Sequence, residues 1–66
     1  MKQSFYNIFL PRSGFTILYN SFTDRFLGIS KKADNLLNSD IERLNRQMHS
    51  VCKRMQELGM LVDDEK

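Results

Sequence analysis

SDIERLNRQMHSVCKRMQELG, residues 39–59, is the stretch from which the fold is read. Ile41, Leu44, Met48, Val51, Met55 and Leu58 follow one another in alternating steps of three and four. At about 100° per residue they form, with Cys52, an apolar stripe roughly 120° wide. Glu42, Arg43, Arg46, Lys53, Arg54 and Glu57 fall on the other side. Ser39 with Glu42 three positions later has the form of a capping box. Gly59 suits the left-handed residue that closes a last turn. The spacing predicts one unbroken helix over about 40–58. Such a stripe is unstable alone in water and must cover another layer.

That layer lies N-terminal to it. FYNIFL (5–10), FTILYN (15–20) and RFLGIS (25–30) are rich in aromatic and β-branched residues. They predict strands over about 4–10, 15–20 and 25–30. Pro11-Arg12-Ser13-Gly14 and Asn20-Ser21-Phe22-Thr23-Asp24 carry turn chemistry between them. The first strand is apolar on both faces, which predicts cover on both sides. Gly28 inside the third strand weakens it but lets another backbone approach. Ser30 reads as the N-cap of a short helix over about 31–38, with Ala33, Leu36 and Leu37 inward. Met60-Leu61-Val62 is a candidate short final strand, and residues 63–66 an acidic, solvated tail. The order predicts an α+β fold: a small three-stranded antiparallel sheet, then a short and a long helix on one face.

The 66 residues make a single domain, 1–66. A chain this short buries only about 60% of its unfolded surface, so the core is thin and oligomerisation would help it. Ten basic and eight acidic side chains, net +2, are too balanced to point to nucleic acid. Cys52 is the single cysteine, which excludes an internal disulfide and a cysteine metal cage. Residues 1–10 do not read as a signal peptide, and no stretch approaches the ~20 apolar residues of a membrane span. The expectation is a cytoplasmic protein with no membrane partner.

No catalytic constellation is visible, so an enzyme is not expected. His49 is the only histidine and has no metal-ligating neighbours at suitable spacing. Cys52 sits on the apolar stripe and reads as an inert core thiol. Met48, Met55 and Met60 fit core filling better than a peptide surface. Asp63, Asp64 and Glu65 lack calcium-loop spacing. Arg43, Arg46, Lys53 and Arg54 share their face with Glu42 and Glu57, the pattern of a solvated, salt-laced surface. No metal or cofactor is expected. An edge strand containing glycine can instead accept an extended peptide as an added strand, unless Arg25 merely blunts it.

YNIFLPRSGFTILYNSFTDRFLGI (6–29) and ELGMLVDDE (57–65) resemble the extreme N-terminal segment of radical-SAM peptide maturases with a SPASM extension, which modify ribosomally made peptides. The resemblance implies a winged-helix-like leader-recognition domain. In such domains the precursor's leader peptide adds to the third strand and lies against the last helix. Carried over, the binding residues are Arg25, Phe26, Leu27, Gly28 and Ile29, faced by Met48, Cys52 and Met55. The family's cluster needs three closely spaced cysteines, which this chain does not have. A winged helix also has two shorter helices where this pattern shows one. The expected function is non-catalytic recognition of a precursor peptide, alone or joined to the remainder of a maturase. The competing readings are a small winged-helix DNA-binding protein and a structural or homo-oligomeric module.

Overall fold

A computed structural model describes residues 1–63. The elements run β1 (Lys2–Gln3), β2 (Asn7–Arg12), β3 (Phe15–Asn20), β4 (Arg25–Ser30), α1 (Lys31–Ser39), α2 (Ile41–Gln47), α3 (His49–Glu57) and β5 (Leu61–Val62). The three central strands pair antiparallel in the order β2-β3-β4, and β1 pairs antiparallel with β5. The expected α+β architecture is present. Asp64, Glu65 and Lys66 of the expected acidic tail lie outside the described residues.

The first strand starts later than the sequence implies. Ser4 organises a turn instead: its carbonyl accepts from Asn7 N–H at 3.2 Å and its Oγ from Tyr6 N–H at 3.1 Å. Pro11 and Arg12 belong to β2 rather than to the turn, which shrinks to Ser13-Gly14 with Gly14 at φ 84°. Asp24 takes φ 58° at the β3–β4 turn, a conformation aspartate tolerates better than most side chains. Of the short strand expected over 60–62, Leu61–Val62 is present, and its partner is the extreme N-terminus. Lys2 lies opposite Val62, Gln3 opposite Leu61, and the terminal ammonium reaches Asp63 at 3.9 Å.

The single long helix is corrected to two. Met48, at φ −136° and ψ 56°, ends α2 and begins α3. No proline or glycine marks the bend, and the apolar stripe stays in phase across it. Leu44 before the break and Cys52 and Met55 after it all reach one core and are fully buried. The capping box also shifts by one residue. Ser39 stays in α1, its Oγ donating to Asn35 O at 2.7 Å. Asp40 caps α2 by accepting from Arg43 N–H at 3.1 Å. Ser30 caps α1 as read from the sequence, accepting from Ala33 N–H.

Helices cover only one face of the sheet. Thr16, Leu18 and Asn20 of β3 and Ile29 of β4 point inward and are buried with Ala33, Leu36, Leu37, Leu44, Cys52, Met55, Leu58, Met60 and Leu61. Burying each large apolar side chain here contributes about 1.5–3 kcal/mol. The expected cover on both faces of the first strand is not found, and Ile8 on the outer face is exposed. Asn20 locks the sheet to the end of α3. Its Oδ1 accepts from Phe22 N–H, Thr23 N–H and Thr23 Oγ1, and its Nδ2 donates to Asn7 Oδ1 and Gly59 O.

Candidate peptide-binding edge

Backbone groups alternate in direction along a strand, so one bond fixes the rest. Ser21 N–H donates to Tyr6 O at 3.0 Å. Phe15, Ile17 and Tyr19 therefore address β2, while Thr16, Leu18 and Asn20 address β4. Their β4 partners are Ile29, Leu27 and Arg25. The backbone N–H and C=O groups of Phe26 and Gly28, and the N–H of Ser30, turn to the outer side. Among the described residues no strand pairs there.

Phe26, Gly28 and Ser30 belong to the outer face. Cross-strand rows on that face run Ile8·Tyr19·Phe26, Leu10·Ile17·Gly28 and Arg12·Phe15·Ser30. The face is apolar apart from Arg12, Ser30 and the Tyr19 hydroxyl. Phe26 is 62% exposed, and its ring lies 4.6 Å from that of Tyr19. Tyr19 Oη donates to Asp24 Oδ1 at 2.7 Å. That hydrogen bond, with minor help from desolvation and the carboxylate charge, holds the Tyr19 phenol above its ordinary pKa. Gly28 leaves a notch over Ile17. A Cβ built at Gly28 meets nothing within 4 Å, so nothing among the described residues requires glycine there.

The opposite edge differs. On β2 the outward backbone groups are those of Asn7, Phe9 and Pro11. Asn7 N–H is already bonded to Ser4 O, and proline has no N–H. Pro11 O accepts from Arg12 Nη1 at 2.9 Å.

The anticipated site residues separate into two groups. Arg25, Phe26 and Gly28 are exposed along the open edge, and Leu27 is half-buried on the inner face. Ile29 is buried in the core, so it presents backbone to β3 and side chain to the helices. Cys52 and Met55 are fully buried and Met48 packs on the core, so Cys52 and Met55 offer no surface to a guest. Burial raises the Cys52 thiol pKa, and its Sγ lies 3.8 Å from Met1 Sδ. The helix that packs most against β4 is α1, not the last helix. His49 is an exposed side chain 3.0 Å from Asn45 Oδ1. Among the described residues no three His, Cys, Asp or Glu side chains gather as metal ligands. Nor is any described helix long and apolar enough to cross a membrane.

Sequence reasoning did not find the outer-face patch or the basic residues Lys31 and Lys32 beyond the edge. The alternation Phe15, Ile17, Tyr19 carries the first signal, but it marks the more apolar side of β3, while the helices cover the side of Thr16, Leu18 and Asn20. No family model, curated protein or solved structure matches the chain.

Proposed function

We propose that this domain is a non-catalytic peptide-recognition module that takes an extended segment as a fourth strand beside β4. One observation carries the reading: β4 turns outward backbone groups that pair with no strand among the described residues, around a glycine that none of those residues requires. Main-chain hydrogen bonds supply affinity in such pairing, and alternate side chains supply choice. The three-stranded sheet with three helices fits a winged-helix-like domain, and the break at Met48 removes the objection raised by a single long helix. The resemblance to maturase N-termini names the guest as the leader of a ribosomally made precursor peptide. Under the same resemblance, the second partner we propose is the remainder of a maturase.

A random-peptide display library selected on the immobilised domain tests this, followed by amide shift mapping of enriched peptides. Enriched peptides are expected to shift Phe26, Gly28 and Ser30 and to leave Phe9 unmoved. Gly28→Pro removes the central outward N–H and is expected to weaken binding at least about thirtyfold. Peptides that map elsewhere, or the absence of any enrichment, overturn the proposal.

A further inference from the structure

We infer that the segment accepted by β4 carries an aromatic residue opposite Gly28 and acidic residues three positions to either side of it. The inference rests on strand addition at β4 and names the class of peptide that this edge selects. It starts from the notch. On the outer face Gly28 sits between Phe26 and Ser30, with Ile17 across the ladder and space where a side chain would be. A glycine on an edge strand leaves its neighbours' apolar surface wet, and an aromatic ring laid across it from the adjacent strand covers that surface. A guest residue paired with Gly28 projects to the same outer face. A ring there spans the glycine, reaches Ile17 and abuts Phe26. A smaller side chain leaves the notch open.

Charge sets the flanks. Three residues before Gly28 stands Arg25, and three after it stands Lys31, followed by Lys32. Arg25 and Lys32 are exposed, and among the described residues neither makes an ion pair. Lys31 donates to Thr16 Oγ1 at 3.2 Å, and Asp34 on the same helix is engaged by Thr16 and Asn38. Asp24, at the other end, accepts from Tyr19. Guest positions three from the aromatic lie on the opposite face of the guest strand, the face to which Arg25 belongs. Carboxylates there meet guanidinium and ammonium groups. The same charges count against a second copy as the occupant. Two β4 strands paired about Gly28 set Arg25 of each against Lys31 of the other and leave two notches face to face.

The probe is a synthetic peptide with a central phenylalanine, a glutamate three residues to either side, and threonine and valine between. It is titrated into the full chain and followed through backbone amides. Shifts at Phe26, Gly28 and Ser30 are expected, with affinity about tenfold weaker when the central phenylalanine becomes alanine. Exchanging both glutamates for lysine is expected to cost a similar factor, shrinking as salt rises. Gly28→Val should fold with unchanged or greater stability, bind more weakly and lose the preference for phenylalanine over alanine. Equal binding of the phenylalanine and alanine peptides at these amides overturns the inference and leaves strand addition standing. An absence of shifts along 25–30 with every peptide overturns both. Sedimentation as a dimer whose contact maps to these amides makes a second copy the occupant and also overturns it.

Discussion

The two edges of the sheet are built from the same kind of sequence and end in opposite conditions. Along β2, one outward amide is spent on Ser4, another is missing at Pro11, and the Pro11 carbonyl is closed by the neighbouring guanidinium. Along β4, the outward groups of Phe26, Gly28 and Ser30 have no strand beside them among the described residues. Edge strands invite uncontrolled pairing, and proteins blunt them where pairing is unwanted. A chain that blunts one edge and leaves the other bare around a glycine has treated the two differently. The strand addition proposed above would use that asymmetry: one edge left bare, and an opposite edge with fewer groups on offer.

The difference can be attacked from the defended side first. Asn20→Ala removes the amide that ties Asn7 to Gly59 and closes the β3–β4 turn. Five hydrogen bonds made by one fully buried side chain are lost, so a loss of roughly 3 kcal/mol is expected in urea unfolding. A loss under about 1 kcal/mol would show that this anchorage does not hold the sheet to the helices. A smaller effect is expected from Pro11→Thr, which restores an outward N–H to β2. Stability should change by less than about 1 kcal/mol, while sedimentation should show association that rises with concentration. If the variant stays as monomeric as the parent, the proline is not what protects that edge.

The finest test concerns the turn that leads into β4. The raised Tyr19 pKa should fall back toward the ordinary tyrosine value in Asp24→Asn, read from the ultraviolet titration of the phenol. Because the folded-state value is the higher one, stability linked to this group is complete below the unfolded tyrosine range. It declines as pH rises through the folded value. An unchanged titration would mean that the Tyr19–Asp24 bond does not persist and that Phe26 lacks a fixed neighbour.

Local chemistry was enough to read some of this molecule. Ser30 followed by Ala33, Leu36 and Leu37 marked α1, and Gly59 at φ 78° closes the end of α3 as its composition implies. The bend at Met48 was hidden because a stripe that keeps its phase carries no sign of a break, and no small or cyclic residue sits there. Ser39 looked like a cap but Asp40, one residue on, performs that role, since α1 runs a residue longer. Arg25 to Ile29 could be singled out as a contiguous strand with an odd glycine. Which of its residues face outward could not, because that depends on pairing with β3. Met48, Cys52 and Met55 were drawn into the site by the stripe that puts them in the core. The notch needs Ile17 set against Gly28, a register that only the folded hairpin defines.

The pairing of residues 2–3 with 61–62 gives the domain a single doorway. Residue 1 and residue 63 lie side by side, so segments joined at those two points leave from neighbouring places. A brief bridge between those strands would close the backbone into a ring, and fresh ends cut at Ser13-Gly14 would leave the helices and β4 in their present order. The unit is thus shaped to be inserted into a host loop as readily as to be strung along a chain.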